Sequence, residues 1–199
     1  MGSFSSAFLG ESRAILERLD VDVLESLARG LAAVRDAGGR LFILGVGGSS
    51  GHAGHAVNDF RKLCRFEAYA PTDNVSELTA RVNDEGWDTC FVEWLCGSRL
   101  GPRDAVLVLS VGGGNREKNV SVNIVRALEL ASGRGASIFG IVGRDGGFTL
   151  KVAQVCAVIP PFSPERVTPH TEGICSVILH LLVSHPALQS GTAKWESVK

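Results

Sequence analysis

The chain has 199 residues, 45% hydrophobic and 21% charged, which suits one domain with a substantial core. Its 20 basic and 21 acidic residues leave a net charge of −1, which excludes a generic nucleic-acid binder. A small phosphate ester remains admissible, because backbone N–H groups hold one without a basic surface. No stretch approaches the roughly 20 apolar residues of a membrane span, and no cationic segment followed by an apolar run opens the chain, so neither membrane insertion nor export is expected.

Two helices are predicted first. Phe8, Ile15 and Leu19 fall at helical spacing within 4–19, and Val23, Leu24, Leu27, Leu31 and Val34 within 21–37, where Gly38-Gly39 stops the second. Four aliphatic runs then read as strands: 41–44, 105–109, 137–142 and 155–159. None alternates polar with apolar, as expected of strands covered on both faces. A weaker strand is predicted near 67–70. Helical patterns at about 52–63, 75–83, 88–100, 122–132 and 171–183 separate the strands, and this alternation implies a parallel sheet with helices on both faces.

The chain reads as a single domain, with N-terminal helices over 4–37, an α/β core over 40–186 and a polar tail over 187–199 that Trp195 could dock. Cys64, Cys90, Cys96, Cys156 and Cys175 are odd in number and form no C-x-x-C pair. They read as buried free thiols in a reducing, cytoplasmic setting.

In such a sheet, ligands bind beyond the carboxyl ends of the strands, near the point where strand order reverses. The first strand runs into Gly45-Val46-Gly47-Gly48-Ser49-Ser50-Gly51 and then a helix. Glycines there let N–H groups approach an anion beside the helix dipole, although tight packing alone also selects such turns. The spacing matches neither the P-loop nor the dinucleotide fingerprint. A second glycine turn, Ser110-Val111-Gly112-Gly113-Gly114-Asn115, follows the run at 105–109. Ser121, just before the next helix, could cap that helix or hold a phosphate.

His55 and Asp59 are four apart, and Glu172 and His180 eight apart, so each pair shares a helix face. Two nitrogen and two oxygen donors on two helices could converge on a divalent ion, a mixture that zinc accepts. Satisfied core or surface histidines are the plainer reading of the spacing.

Gly45-Val46-Gly47-Gly48-Ser49, Asn83-Asp84-Glu85-Gly86-Trp87, the Ser110–Gly114 turn and Gly143-Arg144-Asp145-Gly146-Gly147 together resemble, in order, motifs of the sugar-isomerase (SIS) domain family, closest to the phosphoheptose isomerases. The likeness runs over about residues 5–185. It implies a five-stranded parallel sheet in a three-layer α/β/α arrangement, and isomerisation of sedoheptulose 7-phosphate or a related phosphosugar through an enediol. It also implies a homotetramer with interfacial active sites.

The resemblance makes Gly47, Gly48, Ser49, Ser50, Ser110, Val111, Gly112, Gly113 and Ser121 the phosphate-binding set, joined by Asn83 and by Asp84, a candidate for a sugar hydroxyl. Metal ligands are His55, Asp59, Glu172 and His180, holding a divalent ion, with zinc favoured. Asp59 and His180 become base and acid, with Glu172 a substitute base on chemical grounds. Val46, Val111 and Gly112 depart from the family's Asn and hydroxyl residues, Asp59 is a shortened Glu and Glu172 a charged Gln. About six residues near 115–120 are inserted, so the phosphate would rest more on backbone N–H groups, on serines and on Lys118. Some SIS proteins bind rather than catalyse, one as an adaptor for the replication initiator DnaA. A partner-binding module is therefore the competing expectation.

His52 reads as an exposed polar residue, His170 and His185 as turn residues beside prolines, Asp145 to Gly147 as turn structure, and Arg61, Lys62 and Arg65 as a solvated face.

Overall fold

The computed structural model describes residues 3–198. Helices α1 (Phe4–Leu16) and α2 (Val21–Asp36) come first, their N-termini capped by the side chains of Ser3 and Asp20. The core follows as β1 (Leu41–Leu44), α3 (Gly48–Cys64), β2 (Ala68–Tyr69), α4 (Val75–Glu85), α5 (Cys90–Gly97), β3 (Ala105–Ser110), α6 (Val122–Gly133), β4 (Ser137–Val142), α7 (Gly147–Val152), β5 (Val155–Val158) and α8 (Val167–Ser184). A short α9 (Lys194–Ser197) ends the described chain.

All five strands pair in parallel, in the order β2-β1-β3-β4-β5. Strand alternation sorts their side chains into two apolar layers. Leu41, Ile43, Leu107, Leu109, Phe139 and Ile141 pack with α2, α3 and α8. Phe42, Leu44, Val106, Val108, Ile138 and Val142 pack with α5 and α6 on the other face. The result is the expected three-layer α/β/α arrangement, and it explains why the strands read as unbroken apolar runs.

At the amino ends of β1 and β3, Asp104 accepts from the Arg40 backbone N–H at 3.0 Å and from its guanidinium at 2.8 Å. Burial alone would raise the Asp104 pKa. The bonds from Arg40 and from the Gly101 N–H outweigh that and hold it below its usual value.

Several expectations need correcting. His170 is not a turn residue: it lies inside α8, buried, with its ring 4.3 Å from that of Phe8. Gly146 and Gly147 do more than turn, since Gly146 is the N-cap of α7. Arg61 is not simply solvated, because it donates to the Ala68 carbonyl at 3.1 Å and lies over the Tyr69 ring. The tail is held as far as Gly191: Leu188 is fully buried, Arg35 donates to the Ala187 carbonyl, and the Ser190 and Gly191 N–H groups bond Leu63. The side chain of Trp195 lies outside the described residues. All five cysteines are free, and burial pushes Cys64 and Cys156 up to about 11 and Cys175 up to about 12, so these thiols are inert.

Glu11 ties α1 to α8. Its carboxylate accepts from Arg166 at 2.6 and 2.8 Å and meets His170 Nε2 at 2.8 Å. The Arg166 bonds first, and His170 second, lower its pKa from 4.5 to about 2. An unfolded chain takes up this proton sooner than the folded one. The stability from Glu11 is therefore full above the ordinary carboxyl range and is lost as pH falls from about 5 toward 2. Denaturant titrations across that window should show Glu11→Gln with a flatter acid decline than the parent chain.

Candidate active site

Strand order reverses between β1 and β3, so their carboxyl ends leave a crevice. A cavity of about 380 Å³ opens there. The turn after β1 supplies Val46 and Ser49, and the turn after β3 supplies Ser110, Val111 and Gly112. Helix α3 starts at Gly48 behind Gly47, whose φ is 62°, and no side chain caps it. Helix α6 starts behind Ser121, held in the left-handed region at φ 49° and ψ 47°, again with no side-chain cap. Capping is thus ruled out as the role of the Ser121 hydroxyl, which lies on the cavity wall instead. Two uncapped helix starts at one cavity leave first-turn N–H groups and their positive partial charge for an anion.

The second glycine turn is braced from below. Ser110 Oγ accepts from the Gly113 N–H at 3.0 Å, and the N–H and hydroxyl of Thr149 on α7 both donate to the Gly113 carbonyl, at 2.9 and 2.8 Å. A Cβ on Gly113 would strike the Gly146 backbone, and one on Gly147 would strike that of Gly112, so the two turns interlock only as glycines.

Glu172 reaches the same cavity from α8. Its carboxylate lies over Gly48 so closely that a Cβ there would collide with it. Two turns further along both helices, His55 meets His180. Contacts of 48 with 172 and of 55 with 180 mean that α3 and α8 run parallel, α3 starting at the cavity and α8 reaching it in its second turn.

His55 Nε2 lies 3.1 Å from His180 Nε2 and 3.1 Å from Asp59 Oδ2, and His180 Nε2 lies 3.7 Å from the same oxygen. The two imidazoles are about half exposed, while Asp59 is 15% exposed. Two ring nitrogens this close either share a proton or direct both lone pairs at a cation. Tetrahedral donors about 2.0–2.1 Å from a metal sit about 3.3–3.4 Å apart. The three edges observed here bracket that spacing, so the donor set fits a divalent ion with one position left open. Within one chain Glu172 stands outside this cluster, roughly 12 Å before His180 along the helix axis.

Other expected residues fall away from the cavity. Gly47 and Gly113 shape the turns without lining it, and Ser50 donates back to the Gly47 carbonyl at 2.7 Å. Asn83 and Asp84 sit exposed in the last turn of α4, where Asn83 donates to Asp84. His52 belongs to neither the cavity nor the cluster, and its Nδ1 is buried without a partner. Arg144 and Asp145 line the cavity although the sequence suggested only a turn. Their position at the carboxyl end of β4 was the available signal.

No protein-family model matches the chain. It is 32% identical over 187 residues to the lincomycin biosynthesis protein LmbN of Streptomyces lincolnensis, covering 89% of this chain but 64% of that protein. The phosphoheptose isomerase of Trichlorobacter lovleyi is 30% identical over 190 residues, 92% of this chain and 91% of its own length. The structure of phosphoheptose isomerase GmhA from Neisseria gonorrhoeae superposes with a TM-score of 0.77 at 23% identity, over 90% of this chain and 95% of that one, which supports the same fold. With the identity sustained along nearly all of both chains, this protein belongs to the phosphoheptose isomerase family of SIS-domain isomerases.

Proposed function

We propose that the chain is a metal-dependent isomerase interconverting sedoheptulose 7-phosphate and D-glycero-D-manno-heptose 7-phosphate. One observation supports this reading: a cavity at the N-terminus of α3, with Glu172 of α8 on its wall, lies two turns from the three-donor cluster on the same two helices. Gly48 and His55 are seven residues apart, or about 10 Å along the axis. That is comparable to the reach of an open-chain heptose from its carbonyl end to its phosphorus.

With the phosphate held at Ser49, Ser110 and Ser121, the carbonyl end extends toward His55, Asp59 and His180. Asp59 takes a proton from C1 of the ketose while His180 protonates the carbonyl oxygen, giving the enediol. Return of a proton to C2 and loss of one from O1 completes the aldose. A divalent ion at His55, Asp59 and His180, with zinc favoured by the nitrogen and oxygen donors, would take up the His180 Nε2 lone pair and would polarise the carbonyl in place of the proton from that nitrogen. Glu172 is the competing base, because its carboxylate faces the cavity outside the metal cluster.

We further propose a homotetramer with the donor cluster at a subunit boundary. Val177 and Leu181 flank His180 on α8 and are 47% and 40% exposed, and Phe4 and Leu9 of α1 are more exposed still. The five unpaired thiols favour a cytoplasmic setting. Among the described residues, no helix is long and apolar enough to cross a membrane.

Purified protein given sedoheptulose 7-phosphate should form the aldose, lose that activity to a chelator and regain it with zinc. Complete inactivity of folded protein under every divalent metal would favour a binding module instead. Asp59→Asn should lower kcat at least about a hundredfold, and Glu172→Gln should lower it less than tenfold; the reverse order would move the base to Glu172. Gly48→Ala should cost less than about 1 kcal/mol of stability, because only the end of the flexible Glu172 side chain has to move, whereas Gly147→Ala, which strikes the Gly112 backbone, should cost about 1–3 kcal/mol, read from denaturant midpoints. Sedimentation should give a mass four times that of the chain, and a stable monomer would remove the interfacial site.

A further inference from the structure

Two carboxylates, Asp145 and Glu172, face the cavity, and Val111 and Gly112 of its wall carry no hydroxyl. A phosphate dianion entering beside them meets like charge. The uncapped starts of α3 and α6 each supply about half a positive charge, which together balance only one of the two carboxylates. Serine hydroxyls add hydrogen bonds but no charge. The cavity therefore needs further cations to hold a dianion, and it has two, Lys118 and Arg144.

Both reach the cavity from built backbone rather than from loose surface. Asn115 and Val120 exchange N–H to carbonyl bonds of 2.8 and 2.9 Å, which closes residues 115–120 into a hairpin. Asn115 Oδ1 accepts from the Lys118 N–H at 2.8 Å, and Arg116 is tied to Glu129 on α6. Among the described residues, five that are not glycine have a positive φ, and three of them, Asn119, Ser121 and Arg144, belong to this hairpin or the cavity wall. Backbone held in that sparsely populated region persists where the surroundings over-determine it, and it gathers at ligand clamps. Arg116 is spent on its partner, whereas Lys118 and Arg144 join no ion pair among the described residues.

We propose that Lys118 and Arg144 form a cationic clasp for the ligand's phosphate, so that the inserted hairpin makes the site selective for phosphomonoester dianions over neutral sugars. The proposal rests on the phosphosugar reading given above but is tested separately from it. Calorimetric titration with inorganic phosphate and with sedoheptulose 7-phosphate should show Lys118→Met and Arg144→Met each weakening both ligands about tenfold, and Lys118→Arg retaining affinity within about threefold. Lys151→Met, an exposed charge on α7 outside this cavity, should bind as the parent chain does. In turnover, the Lys118 loss should fall on KM rather than kcat.

Parent-like affinity in both Met variants would overturn the clasp, as would an equal loss in Lys151→Met or no phosphate binding by the parent chain. If the parent chain isomerises the sugar and the variants bind normally, the clasp alone fails. If the variants lose phosphate but the parent chain never isomerises, the clasp stands and the isomerase reading fails. Lys118 is exposed, so its substitution should leave the melting temperature unchanged, which confirms that any loss is local.

Discussion

The close parallel contact of α3 with α8 is the constraint on which the rest of the site depends. At its start the Glu172 carboxylate lies over Gly48, where a methyl group would push the end of that side chain aside. Two turns later the same contact brings donor atoms of His55, Asp59 and His180 within 3.7 Å of one another. The apolar residues Ala53, Ala56, Val57 and Phe60 of α3, with Ile174, Cys175, Ile178 and Leu179 of α8, fix the spacing from within the core. Because α3 starts at the carboxyl edge of the sheet, its positive end and the cavity coincide, and α8 brings Glu172 from its second turn to the wall.

The glycine turns show a second form of constraint, in which one loop supports another. The turn after β3 can hold its N–H groups open only because α7 takes up its carbonyls: Thr149 bonds Gly113, and the Phe148 N–H bonds the Gly114 carbonyl at 2.8 Å. The turn after β4 thus braces the cavity wall and also delivers Arg144 and Asp145 to its edge. A loop fixed in this way has little reorganisation left to do when a ligand arrives, which is how binding energy is conserved for orientation.

Polar satisfaction separates structural histidines from candidate catalytic ones. His170 is buried and fully engaged, with Glu11 on one nitrogen and Ser12 on the other. His55 and His180 are half exposed and find only each other and Asp59. A buried ring with two fixed partners has no freedom to exchange a proton with a ligand, and an exposed pair converging on one carboxylate does.

The layers were legible in the chain's pattern, because apolar runs without alternation must be covered on both faces and the strand–helix alternation leaves little but a parallel sheet. So were the family and the two glycine turns, and helical spacing put His55 with Asp59 and Glu172 with His180. What spacing along one helix cannot express is the direction of a side chain against another helix. Only the tertiary structure turned Glu172 toward Gly48, away from His180, and left Asn83 and Asp84 on the outer face of α4. It likewise drew Lys118 and Arg144 to one cavity from loops 26 residues apart in the chain, a meeting fixed by sheet order and loop bracing that no local pattern encodes.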